Sequence, residues 1–222
     1  MAQSPLLVEK KCDTLKQSVL LMGEQVELAL RQSLAALRDQ DLGLAREIID
    51  GDPAINRQRR ILMQECLLVL AAYEPAGKDL RLAGASLEII PELERIADYA
   101  ADAARLLLRH AGLEFPPVFV QALTDMGEAA VAMFSDAVAA YRCRGGDAAM
   151  ALEVAARDDQ VDALHHEMID AIVVLIRDEP EAAASGVALS AVSHLFERVA
   201  DRATNIAESV VYMATGKTPD LD

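Results

Sequence analysis

Leu195-Phe196-Glu197-Arg198-Val199-Ala200-Asp201-Arg202-Ala203-Thr204-Asn205-Ile206-Ala207-Glu208 is the stretch that decides the fold of this chain. It sets an acid at Glu197, a second at Asp201 and an amide at Asn205. Side chains at i, i+4 and i+8 stack along one side of a helix. Phe196, Val199, Ala200, Ala203, Ala207, Val210 and Ala214 fill an apolar arc beside them. A near copy stands earlier, at Leu93-Glu94-Arg95-Ile96-Ala97-Asp98-Tyr99-Ala100-Ala101-Asp102. Its inner face is Leu93, Ile96, Ala97, Ala100, Ala104 and Leu107. Two acidic helical ladders in one chain point to an architecture built twice.

Working outward, apolar periodicity and turn signals divide the chain into six long helices. The first is predicted from Pro5 to about Asp39, with Leu15, Val19, Met22, Val26, Leu30, Leu34 and Leu37 as its stripe. The second runs to Tyr73, and Gly51-Asp52-Pro53 is expected to interrupt it, with Asp52 recapping a second segment. The third ends near His110 and Gly112. Glu114-Phe115-Pro116-Pro117 reads as the linker between halves. The fourth helix ends at Gly145-Gly146, the fifth is one helix from Asp147 to Asp178, and the sixth stops at Gly216.

Other pieces repeat in the same order. Met22-Gly23 matches Met126-Gly127, and Asp52-x-x-Ile55-Asn56 matches Asp158-x-x-Val161-Asp162. The fold is therefore expected to be all-α: two tandem three-helix bundles, residues 1–113 and 118–216, related by an internal pseudo-two-fold.

Composition bounds the function. Aromatic residues make up 4% and Trp is absent, which favours close-packed helices over sheets. The net charge is −15, opposite to the basic footprint that a phosphate backbone requires, so nucleic acid is not expected as a partner. Cations and basic protein surfaces fit better. Cys12, Cys66 and Cys143 are isolated and odd in number, which reads as small buried thiols in a reducing cytosol. The segment from Met1 to Lys11 has no apolar signal region, and no transmembrane segment is expected. There is no His-Glu-x-x-His, Cys-x-x-Cys or phosphate-cradling glycine loop. No enzymatic activity is predicted.

The acids admit two readings. A ladder flanked by arginines is an ordinary solvated face. Asp158 and Asp162, however, fall within the arc of Val161, Ile169, Ile172 and Ile176, and Asp52 and Asn56 sit likewise by Ile55. Acids on an apolar seam are costly unless paired or bound to a cation. Arg95, Arg198 and Arg202 are available to pair with them. Alternatively, Glu197, Asp201, Asp158 and Asp162 in one bundle, and Glu94, Asp98, Asp52 and Asn56 in the other, converge as hard oxygen ligands. Asn205, Asp102 and His194 are additional candidates.

The stretch 197–208, closing on Tyr212-Met213-Ala214-Thr215-Gly216, resembles the PhoU family of phosphate-signalling regulators. That family carries Leu-Glu-Arg-Ile-Gly-Asp-His-Ala-x-Asn-Ile-Ala twice per chain. Met22-Gly23, Asp52-Pro53-Ala54-Ile55-Asn56 and Pro75-Ala76-Gly77-Lys78-Asp79-Leu80-Arg81 also resemble it. Ala97 and Ala200 replace the motif's glycine, and Tyr99 and Arg202 replace its histidine. Pro91, one turn before Glu94, is expected to bend the third helix.

The resemblance implies metal-binding acidic motifs holding Fe, Zn, Mn or Mg ions. It implies a negative regulator of phosphate uptake and phosphate-starvation signalling. Such a regulator is an adaptor between an ABC phosphate transporter ATPase subunit and a sensor histidine kinase. A homodimer in the cytoplasm, peripheral to the inner membrane through its partners, is implied too. A carboxylate-bridged metalloenzyme or a metal-storage bundle is the alternative; di-metal bundle sites use Glu-x-x-His spacing, which neither ladder helix contains.

Overall fold

The computed structural model describes residues 5–221. Residues 1–4 and 222 lie outside it, so the reading of the segment from Met1 and the outermost residues of the 1–113 unit extend beyond the described part. Among the described residues there is no strand. The helices are α1 (Pro5–Asp39), α2 (Leu42–Tyr73), α3 (Lys78–Arg109), α4 (Pro117–Arg142), α5 (Ala148–Ala155), α6 (Asp158–Asp178) and α7 (Ala183–Thr215), with a single 3-10 turn at Pro180–Ala182.

α1, α2 and α3 pack as one three-helix bundle, and α4, α5–α6 and α7 as a second. The bundles meet where α3 lies along α7 and α1 lies along α4. All seven residues of the predicted α1 stripe are buried, as are the inner faces 93–107 of α3 and 196–210 of α7. A single hydrophobic core runs through both bundles, with Met22, Ile89, Leu93, Phe134, Phe196 and Ile206 among its fully enclosed side chains.

The repeat is visible in the helix starts. Asp41 caps α2 by accepting from the Gly43 and Leu44 amides at 2.8 and 3.0 Å. Asp147 caps α5 in the same way, from Ala149 and Met150 at 3.1 Å each. Both satisfy amides that a helix start leaves open.

Two expectations about helix breaks are corrected. α2 runs through Gly51-Asp52-Pro53 without interruption. Proline removes one backbone donor, yet Ile48, Ile55 and Leu62 stay buried on one face and hold the helix across the gap. The fifth helix is two helices, not one. It breaks at Ala156 and Arg157, where Arg157 has ψ −8° and its guanidinium reaches Asp136 on α4 at 2.7 Å. α3 remains one helix across Pro91. The cysteine reading is corrected as well: Cys12 and Cys66 are buried, but Cys143 is exposed. It sits at the end of α4 before the Gly145-Gly146 turn, where the chain leaves the core. No described helix is long and apolar enough to cross a membrane.

Candidate metal centre

In the second bundle, α6 and α7 face each other with their acids inward. One carboxylate oxygen each from Asp162, Glu197 and Asp201 lies within 4.8 Å of the others. All three side chains are half-buried. Spacing explains this: Glu197 and Asp201 are one turn apart on α7, and Asp162 projects from α6 across the seam. Asp158 lies one turn before Asp162, outside the trio, with its Oδ1 shielded from solvent. Glu197 Oε2 is enclosed and makes no hydrogen bond. His194 Nδ1 lies 2.9 Å from it, one turn earlier on α7. An enclosed oxygen among three converging carboxylates fits a cation of the hard-ligand class.

Imidazoles flank the trio. His165 Nδ1 is 2.5 Å from the hydroxyl of Ser193, which is fully buried. The His165 and His194 ring centroids are 5.9 Å apart. Burial, then the neighbouring His194 and His166, hold His165 below the ordinary imidazole range. The sequence places His165 and His166 one turn past Asp162, within reach of a transition-metal shell, but the contact of His165 with Ser193 was not legible because Ser193 lies on another helix.

The first bundle brings its own set together differently. Asp98 faces Asn56 and Asp52 across the α2–α3 seam. Burial, then the charges of Glu94 and Asp52, push Asp98 up to about 6, against the pull of Asn56. Guanidinium groups stand close by: Arg105 is 3.4 Å from Asp52 and Arg59 is 3.8 Å from Glu94. Here part of the converging negative charge is met by the protein itself.

Two additional candidates go elsewhere. Asp102 holds Arg105 at 2.6 Å on the surface. Asn205 donates to Glu92 at 3.4 Å, toward the other bundle.

A family model for the PhoU domain matches residues 19–107 and again residues 123–210. The chain belongs to the PhoU family. A PhoU homolog of Clostridium acetobutylicum, named a phosphate-specific transport system accessory protein, is 29% identical over 97% of this chain and 98% of its own length. The homolog so named from Pseudomonas aeruginosa is 32% identical over 92% of this chain and 84% of its own. The crystal structure of the phosphate transport system regulatory protein PhoU from Streptococcus pneumoniae superposes with a TM-score of 0.88, at 28% identity, over 96% of this chain and 99% of that one. PhoU from Pseudomonas aeruginosa superposes with a TM-score of 0.86, at 30% identity, over 94% and 99%.

The places where this PhoU chain departs from the motif have a structural use. Tyr99 and Arg202 lie on the α3–α7 seam between bundles. Arg198 stacks over the Tyr99 ring at 4.5 Å. Arg202 reaches Glu92 at 3.5 Å, and Glu92 also holds Arg95 at 2.5 Å. Glu92 was not foreseen as a pairing residue, since it lies outside both ladders.

Proposed function

We propose that this chain is a negative regulator of phosphate uptake and of phosphate-starvation signalling. It acts as an adaptor between the ATPase subunit of an ABC phosphate transporter and a sensor histidine kinase, as a homodimer at the cytoplasmic side of the membrane. The observation that carries this reading is the doubled domain match along the chain, together with relatives named for phosphate transport over nearly their whole length. Exposed apolar side chains favour a protein-contact role over catalysis. Leu21 and Leu28 on α1 and Ile61 and Leu68 on α2 are each more than half exposed (53%, 57%, 55% and 59%).

The acidic clusters serve this role as metal centres. Asp162, Glu197 and Asp201, with Asp158 beside them, hold an Fe, Zn, Mn or Mg ion. Asp52, Asn56, Glu94 and Asp98 form the weaker counterpart. A bound cation offsets converging negative charge and ties α6 to α7. The chain has no enzymatic role in this scheme.

Deleting the gene and measuring phosphate-starvation transcripts in excess phosphate tests the regulator. Transcripts are expected to rise; unchanged transcripts would overturn the reading. Elemental analysis tests the centres. Glu197→Ala with Asp201→Ala is expected to lower metal content more than Glu94→Ala with Asp98→Ala. Equal losses would remove the ranking of the two sites.

A further inference from the structure

We propose that the outer face of α1 and α2 is the surface on which two copies of this chain meet, face to face about a two-fold axis, in a four-helix interface that the second bundle does not offer. This rests on the homodimer of the reading above and names the surface that forms it.

Three observations carry it. The first is a seven-residue repeat turned outward on both helices. On α1 it is Thr14, Leu21, Leu28 and Ala35, and on α2 it is Ala54, Ile61 and Leu68. Leu21, Leu28, Ile61 and Leu68 are each more than half exposed. α1 already buries Leu15, Val19, Met22, Val26 and Leu30 in its own core, so the outward stripe is a second one. Apolar residues seven apart form the seam by which helices pack side by side, knobs into holes. α1 and α2 pack on each other as an antiparallel pair joined through Gln40-Asp41. Leu28 and Ala54 line one groove of about 270 Å³ between them, with Gln25, Gln32 and Gln58. An antiparallel helix pair with an outward seam is half of a four-helix bundle.

The second is charge. With a net charge of −15, two copies repel wherever acids meet acids. These stripes carry no charge, and glutamines, Gln25 and Gln32, fill the steps beside the leucines of α1. A glutamine amide both donates and accepts, so it pairs with its own copy across a two-fold, as an ionised carboxylate does not. Arg57 and Glu65 flank the α2 stripe, exposed and without an ion pair among the described residues, and offer opposite charges to a copy. A partner with a basic surface is drawn to the acids elsewhere, whereas this neutral face is matched by itself.

The third is the repeat, which supplies an internal control. Aligning Met22-Gly23 with Met126-Gly127 puts Asp125 at the place of Leu21 and Ala132 at that of Leu28. Aligning Asp52 with Asp158 puts Glu167 at the place of Ile61 and Asp170 at that of Gln64. Asp125, Glu167 and Asp170 are exposed, so the same bundle is built with acids at these positions, and the leucines and isoleucine of the first bundle are not needed to form it. The size is sufficient too. From Thr14 to Ala35 the face is about 30 Å long, and two helices make it about 20 Å wide. That is of the order of the roughly 800 Å² per partner in a standard interface.

The test uses the full chain with any affinity tag removed, followed by sedimentation equilibrium across the micromolar range, where interfaces of this size associate. Leu21→Asp with Ile61→Glu gives the first bundle the acids that the second carries. It is expected to weaken the dimer at least about a hundredfold, with the helical circular dichroism unchanged. Ala132→Asp, at the second bundle's counterpart of Leu28, is expected to leave the dimer intact. Amide hydrogen exchange of the wild-type chain at low and high concentration needs no variant. Protection that grows with concentration is expected over residues 14–35 and 54–68. A dimer that survives Leu21→Asp with Ile61→Glu, or protection confined to α4–α7, would overturn this surface and leave the homodimer standing. A wild-type chain that stays monomeric throughout the range would overturn both.

Discussion

The three cysteines show how far a single position can depart from its composition-level reading. All were expected to be buried thiols, but Cys143 is on the surface. Burial pushes Cys66 up to about 11, and burial followed by Asp79 and Asp13 does the same for Cys12. The thiolate is the nucleophile, so a maleimide at neutral pH is expected to label Cys143 alone. Mass spectrometry of the labelled chain checks this; modification of Cys12 or Cys66 without unfolding would contradict it. The same burial sets a pH dependence. The folded chain keeps these two protons above the ordinary thiol value of 9.0, where the unfolded chain loses them. Their contribution is then full below that value and is lost as pH rises toward about 11. Urea midpoints measured across that window are expected to fall, and to fall less steeply in Cys66→Ala. At this scale the carboxylates were legible, because Glu197 and Asp201 are one turn apart on one helix. The bond from Ser193 to His165 was not, because only the packing of α7 on α6 creates it.

At the scale of elements, the helices were legible wherever a stripe of apolar residues set the period, and less so where they break. Gly51-Asp52-Pro53 carries strong breaking signals, yet buried neighbours hold α2 through it. Ala156-Arg157 carries none, and a tertiary ion pair from Arg157 to Asp136 marks the break. The repeated Met-Gly dipeptides do have a reciprocal use. A Cβ at Gly23 on α1 would meet Val138 of α4 at 3.2 Å, and one at Gly127 on α4 would meet Leu34 of α1 at 2.6 Å and Phe196 at 3.4 Å. The two glycines let α1 and α4 approach closely from both sides. Gly127→Val is expected to destabilise the chain by about 1–3 kcal/mol through overpacking, read as a lower urea midpoint with an unchanged slope. Gly23→Ala, meeting the two Val138 methyls at 3.2 and 3.4 Å, is expected to cost less. The opposite order would mean that the α1–α4 contact is not set at Gly127.

At the scale of the whole molecule, the pseudo-two-fold suggests two units, but the bonds across the seam suggest one folding unit. Tyr141 on α4 is fully enclosed and shares a 2.7 Å hydrogen bond with Ser86 on α3. Buried Lys16 on α1 donates to the Cys143 carbonyl at 2.8 Å, and Arg81 on α3 donates to the Met213 carbonyl at 2.9 Å. Glu92 and Arg202 add a charged link. These lie on a core that is continuous across the α3–α7 and α1–α4 contacts. Splitting the chain at the Pro116-Pro117 linker would expose that shared core and strand these partners, at a cost of about 1–3 kcal/mol for each buried group left unpaired. The full chain is therefore expected to unfold in one calorimetric transition, with calorimetric and van't Hoff enthalpies equal. Fragments 1–113 and 118–216 are expected not to fold cooperatively alone. Tyr141→Phe removes the one hydroxyl that bonds Ser86, and is expected to lower the single transition by about 1 kcal/mol without dividing it. If the bundles were independent, the same substitution would shift only one of two transitions, because Tyr141 belongs to the second bundle. Its effect on a shared transition thus measures coupling between the halves, and through them between the two acidic centres.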